Sequence, residues 1–264
     1  MAMPGTVTEN AASELRRVDA IRYVTALREG GSLPGLVEGD DDGTWVVKFH
    51  GAGQGPGALV SEVVAGEIAR RIGLPVPELV LVEVAAELGH AEPDPEIQEL
   101  IEASPGLNLG MDFLPGALPF ALSPDEAFDP ELAADIVFFD ALITNIDRTP
   151  RNPNLLTWHG RTWLIDHGAA FYRQHGAAPL AETATAPTPV LRDHVLLPVA
   201  GPLTEAGERL GAGIAEAVEP ALALVPDEWL GDQPEARRED FRLFLDRRLT
   251  QSDVFVAELE GDDE

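Results

Sequence analysis

Between Val18 and His50 apolar and polar positions alternate through AIRYVTAL, LVEG and TWVVKFH, and a period of two predicts strands. Asp41-Asp42-Gly43 has the chemistry of a hairpin turn between LVEG and TWVVKF. From Ala58 to Ile72 the period becomes helical, with Gly73 closing the helix and Pro75 and Pro77 preventing its continuation. PELVLVEVA (77–85) reads as a strand, AEPDPEIQELIEA as an acidic loop and short helix, and LNLGMDFLPG (107–116) as a strand leaving into a turn.

After the Pro-rich link at 115–124 the pattern turns helical. PELAADIVFFDALI (130–143) is apolar nearly all round, as a buried central helix is. NLLTW and RTWLID flank a His159-Gly160 turn and predict a two-stranded ribbon. Beyond Ala177 the expectation is helix with long loops: VLRDHVLL, then LTEAGERLGAGIAEAVEPALALV, then the continuous stretch from Pro234 to Glu260. The expected organisation is α+β: a mobile lead-in at 1–17, a sheet-rich amino-terminal lobe at 18–112, a hinge and linker at 113–124, a helical carboxy-terminal lobe at 125–257 and an acidic tail at 258–264, of which GDDE (261–264) is expected to be disordered.

Composition narrows the function. Forty-six acidic against eighteen basic residues give a net charge of −28 over 264 residues, a field that disfavours direct nucleic-acid binding and docking on anionic membranes. No apolar run approaches the roughly 18 residues of a membrane span. The amino-terminal residues lack the regions of a secretory signal, so a cytoplasmic location is expected. With no cysteine there are no disulfides, thiolate sites or Cys nucleophile. His50, His90, His159, His175 and His194 show no metal-ligand spacing with one another.

The segment NIDRTPRNPNLLTWHGRTWLIDHGAAF (145–171) concentrates the chemistry. Asp147 stands five residues before Asn152, and Asp166 ends an apolar strand just before His167-Gly168. An Asp at a loop start, an Asn five residues on and a second Asp before a glycine are the parts of a phosphoryl-transfer site. The first orients the acceptor hydroxyl; the other two hold metal. Singly, each reads as a turn former or cap; jointly, on buried strand and helix ends, they read as a site. Arg148 and His167 belong to the same framework, with orienting roles.

Lys48 interrupts an apolar strand and requires an anionic partner or an exit to solvent; alone it reads first as an edge-strand lysine facing water. On a helical wheel Glu67, Arg70 and Arg71 share one arc, expected to face solvent. Glu62 falls opposite, among Ala58, Ala65, Gly66 and Ala69, and is the expected partner of Lys48. The segment from Glu29 to Gly35, with Gly30, Gly31 and Ser32 at its tip, can wrap phosphates with its backbone N–H groups or serve simply as a hairpin turn.

Together, TWVVKF, SEVVAGEIARRIGLPVPE, NIDRTPRNPNLL and LIDHGAAF resemble the HipA-like serine/threonine kinases over roughly residues 18–175, and more distantly the phosphatidylinositol 3/4-kinases. The resemblance implies a two-lobed protein-kinase-like fold with ATP and Mg²⁺ as cofactors. By that likeness Lys48 binds ATP phosphates, Glu62 anchors it, Asp147 is catalytic, and Asn152 and Asp166 hold Mg²⁺. Met111, Asp112, Phe113 and Leu114 would form the hinge beside adenine, and Ser32 would sit in the phosphate loop, where the toxin kinases can carry an autophosphorylated serine. Arg148 stands where the toxin kinases have a small residue, which is closer to the lipid-kinase form. The chain is short for a toxin kinase, with no expected counterpart of their extra amino-terminal subdomain.

The leading expectation is thus a phosphotransferase acting on a protein Ser/Thr hydroxyl. The alternatives are a small-molecule or lipid-headgroup kinase with the same site, and a catalytically silent nucleotide-binding regulatory protein.

Overall fold

A computed structural model describes residues 14–27, 33–53, 55–122 and 128–261. Gly30, Gly31 and Ser32, most of the expected lead-in, residues 123–127 of the linker and residues 262–264 of the tail lie outside the described residues.

Five strands, β1 (Arg17–Ala26), β2 (Gly35–Gly39), β3 (Thr44–Lys48), β4 (Leu79–Val84) and β5 (Gly106–Asp112), close into a barrel in the order β1-β2-β3-β5-β4. The β2–β3 hairpin forms as its turn chemistry predicts: Asp42 takes a left-handed conformation, and Asp41 Oδ1 accepts from Gly43 N at 3.0 Å and from Trp45 Nε1 at 3.2 Å. Closure itself comes from β1 running parallel to β4, with Arg17 opposite Leu81. Arg17 is therefore a strand residue, not part of a mobile lead-in.

The strand period decides what the barrel offers the rest of the chain. On β3, Trp45 and Val47 point into the barrel core with Val18, Tyr23, Val37, Val80 and Val82. The alternate residues Val46 and Lys48 face outward, beside Met111 and Leu109 of β5. Those four outward positions form part of the wall of a cleft.

α1 (Pro56–Arg71) starts on a proline and ends before Gly73, whose φ is 87°. It packs against α4 (Leu203–Ala223) and α5 (Asp227–Leu230) as well as against β4. On the arc expected to face solvent, Arg70 and Arg71 are exposed but Glu67 is not. Glu67 is buried and pairs with Arg70 at 3.3 Å and Arg71 at 3.9 Å. One continuous apolar core joins α1 to α3 (Pro130–Leu142), α4, α6 (Pro234–Thr250) and α7 (Ser252–Glu260).

α2 (Pro95–Glu102) is the short helix of the acidic stretch, capped by Asp94. α3 is buried around its whole circumference over its last turns, as its uniform hydrophobicity requires. A second sheet joins β6 (Leu118–Pro119), β7 (Leu155–Trp158) and β8 (Arg161–Leu164), the last two being the predicted ribbon.

Two helical expectations are corrected. VLRDHVLL forms only 3₁₀ turns, Pro189–Asp193 and Leu197–Val199, since Pro187, Pro189 and Pro198 interrupt the ladder and His194 is drawn inward. The stretch from Pro234 to Glu260 breaks at Gln251 into α6 and α7. α7 runs to Glu260, where the expected helical stretch ends, so the first residues of the acidic tail are helical, and Phe255, Val256 and Leu259 bury one of its faces.

Candidate active site

Lys48 is the centre of a buried ion cluster. Its Nζ donates to Asp166 Oδ1 at 2.6 Å and to Glu62 Oε1. The Glu62 side chain is wholly buried, Lys48 nearly so, and the Asp166 side chain is 34% exposed toward the cleft. Burial alone would lower the lysine, but the two carboxylates outweigh it and hold Lys48 above its ordinary value. Two carboxylates share that one ammonium. Burial, aided by the charge of Asp166, raises Glu62. For Asp166 burial works the same way, yet Lys48 outweighs it and brings the carboxyl down to about 2.

Local backbone brings these groups together. Asp166 adopts a left-handed φ of 56° at the end of the ribbon. A Cβ on Gly168 would lie 3.4 Å from Glu62 Oε1, 3.5 Å from Asp166 Oδ1 and 3.6 Å from Lys48 Nζ, so the chain passes close against the cluster. His167 is fully buried, 3.9 Å from Glu62 Oε2 through Nδ1, and burial together with Arg148 lowers it to about 3. It is a neutral filler behind the cluster. Ser61, beside Glu62, donates to Ala170 O at 2.8 Å and so ties α1 to the segment after Asp166.

The cleft measures about 610 Å³, within the range of small-molecule sites. Lys48, Glu62 and Asp166 line one part. Met111, Asp112, Phe113 and Leu114, the predicted hinge residues, line another. Val46, Leu109, Leu156 and Ile165 supply apolar walls to which the sequence motifs assign no role; their signal is the outward register of β3 and β5 and the ribbon alternation.

Asp147 and Asn152 are not among the residues lining this cleft. They hold each other: Asn152 Nδ2 donates to Asp147 Oδ2 at 2.8 Å, and Asn154 Nδ2 reaches the same oxygen at 3.3 Å. Reciprocal backbone bonds between Thr149 and Asn152 close the loop. Ile165 N donates to Asn154 O at 3.0 Å, which fixes this loop directly beside the strand that ends in Asp166. Asn154 is a site residue missed in the sequence, though it sits two positions from Asn152.

Arg148 is expected beside the chemistry and is found behind it. It is 1% exposed, its Nε donates to the buried Asp140, and its Nη1 donates to the carbonyls of Asn154 and Ile165. It supports the loop from the buried side.

No group of three His, Cys, Asp or Glu side chains able to cage a metal occurs among the described residues. The available donors are a carboxylate and an amide oxygen, Asp166 and Asn152. Hard oxygen donors in small number suit Mg²⁺, which usually takes one or two protein ligands and completes its shell with water and phosphate. No helix among the described residues is long and apolar enough to cross a membrane.

The sequence profile of the HipA-like kinase family matches residues 21–253. Among solved structures, the proinflammatory kinase CtkA of Helicobacter pylori aligns with a TM-score of 0.51 at 12% identity, over 94% of this chain and all of that one. The Golgi casein kinase aligns with a TM-score of 0.43 at 12% identity, over 95% of this chain and 73% of that one. A structure of the Golgi casein kinase with Mn/ADP bound gives 0.43 and 12%, over 94% and 74%. No curated protein sequence matches significantly. At these identities the likeness to solved structures concerns the fold.

Proposed function

The chain belongs to the HipA-like kinase family, and we propose that it transfers the γ-phosphoryl group of ATP, with Mg²⁺, to a serine or threonine hydroxyl of a protein. The barrel and α2 then act as an amino-terminal lobe, the helices beyond residue 128 as a carboxy-terminal lobe, and residues 113–116 as the hinge between them. The observation that carries this reading is Lys48, held between Glu62 and Asp166 in the wall of a largely apolar cleft. A buried ammonium placed by one wholly buried acid is set up to meet a third anionic group.

In this reading the apolar surfaces of Val46, Leu109 and Leu156 enclose the adenine, and the backbone from Met111 to Leu114 meets its edge. Lys48 binds phosphate oxygens while Glu62 fixes its position. Mg²⁺, when bound by Asn152 and Asp166, offsets the charge of the phosphates. Asp147, oriented by the amides of Asn152 and Asn154, accepts a hydrogen bond from the acceptor hydroxyl and then takes its proton. Positioning and electrostatics supply most of the rate enhancement.

A net charge of −28 favours soluble acceptors over anionic lipid surfaces. The test is transfer of label from [γ-³²P]ATP to protein substrates, inositol lipids and small alcohols, with Asp147→Asn as the control. Labelled phosphoserine or phosphothreonine is the expected product. Label confined to lipid or small alcohol overturns the acceptor, and tight ATP binding with no transfer overturns the activity.

A further inference from the structure

The Asp147 loop is held from behind by a polar cluster inside an otherwise apolar helix bundle. Asp140, in the last turn of α3, is wholly buried and accepts on both oxygens. Oδ1 takes Asn145 Nδ2 at 2.9 Å; Oδ2 takes Arg148 Nε and His194 Nε2, the latter at 3.0 Å. Two of these three donors lead straight to the site. Asn145 Oδ1 accepts from Asp147 N at 3.4 Å, and Arg148 Nη1 holds the carbonyls of Asn154 and Ile165. The third, His194, belongs to the 3₁₀-rich segment that follows the site. Its Nδ1 accepts from Leu196 N at 3.1 Å, which leaves Nε2 to carry the proton given to Asp140. Next to it, Val195 N donates to Arg148 O at 3.0 Å.

Packing alone does not require this arrangement, since an apolar ring would fill the place of a histidine that is 4% exposed. Neither Asp140 nor His194 leaves a buried polar atom unpaired, whereas Arg148 Nη2 is left so. Arg148 Nε and His194 Nε2 meet on the one oxygen Asp140 Oδ2, so the histidine bears on the arginine through that shared carboxylate. We infer that Asp140 and His194 are positioning residues for phosphoryl transfer. Acting through Asn145 and Arg148, they set Asp147 relative to the strand that carries Asp166, and they touch neither nucleotide nor acceptor. This inference rests on Asp147 being the group that meets the acceptor hydroxyl.

The test compares His194→Phe, which removes both side-chain bonds and keeps a ring, with His194→Gln, which returns an amide N–H near the place of Nε2–H. The rate of transfer and the affinity for an ATP analogue are measured separately on each. His194→Phe is expected to lower kcat about 10- to 100-fold, the order of loss that a displacement near 1 Å brings. Its ATP Kd stays within about twofold of wild type, and His194→Gln recovers most of the lost rate. Amide exchange over residues 145–154 should quicken in His194→Phe and return toward wild type in His194→Gln. Equal kcat in wild type and His194→Phe, a parallel loss of kcat and ATP affinity, or no recovery in His194→Gln overturns the inference. Should His194→Phe fail to fold, His194→Asn, which offers a polar group only near Nδ1, takes its place; it is expected to be slow where His194→Gln is fast, and equal rates overturn the inference. A wild-type protein that binds ATP and transfers nothing refutes the proposed activity and this inference together. An active wild type with indifferent His194 variants refutes the inference alone.

Discussion

Lys48 and Asp166, 118 residues apart in the chain, meet with Nζ 2.6 Å from Oδ1, and the same ammonium is bonded to Glu62. This contact joins the outward face of a barrel strand to the end of the β7–β8 ribbon. It places one cation where two carboxylates already compete for it.

Replacing Lys48 with Met therefore has two expected effects. Transfer falls at least about 100-fold, the scale of losing a placed cation at developing charge. Stability falls by about 3 kcal/mol, because removing one partner strands the buried acid Glu62. Initial rates and urea unfolding measure both. Unchanged ATP affinity in Lys48→Met would remove the lysine from the phosphate site.

Asp147→Asn separates binding from turnover. The substituted amide can still present an oxygen to Asn152 and Asn154 but cannot take a proton. A kcat loss of about 10² to 10⁴ is expected, with ATP Kd nearly unchanged by calorimetry. A variant that transfers at the wild-type rate would show that Asp147 is only a loop former.

Asp140 makes stability depend on pH in a defined direction. Burial alone would raise its carboxyl, but the charge of Arg148 and the bond from His194 outweigh burial and hold it well below the usual carboxylate range. A depressed folded value means the contribution is complete above the unfolded pKa, near 4, and is lost as pH falls toward the folded value. Asp140→Asn should cost about 3–5 kcal/mol at pH 7. The gap to wild type should shrink by up to about 1.4 kcal/mol for each pH unit below 4. Urea melts at pH 7 and pH 3 measure it, and a constant gap would contradict the assignment.

Gly110 tests the barrel. A Cβ there would sit 2.6 Å from Val82 Cγ2 and 2.9 Å from Val80 Cγ2 inside the closed sheet. Gly110→Val is expected to destabilise by about 1–3 kcal/mol through overpacking, read as a lower unfolding midpoint with unchanged slope. A midpoint equal to wild type would mean that the barrel interior has room.

Much of the site was legible because it is local. The spacing from Asp147 to Asn152 and the ribbon ending in Asp166 lie within one short segment, and the wheel position of Glu62 marks it as buried before any partner is known. The strand period at TWVVK places Lys48 on the face opposite Trp45 and Val47. What escaped depends on distant contacts. The parallel pairing of Arg17 with Leu81 leaves no trace in either strand's own pattern. Asp140 looks like one more polar interruption, after Asp135, of an apolar helix, and the donors that explain it include Arg148 and His194, which follow it by 8 and 54 residues. His194 in turn sits in a stretch whose apolar spacing mimics a helix. The inward pull on its ring and the flanking prolines override that spacing.

The most direct measurement is a calorimetric titration of the protein with a non-hydrolysable ATP analogue, with and without Mg²⁺, on wild type and Asp166→Ala. The expected result is saturable one-site binding that weakens at least about tenfold when Mg²⁺ is withdrawn, with Asp166→Ala losing the metal dependence. Absence of binding, or equal affinity in all four titrations, would contradict a phosphate site built on Lys48 and Asp166.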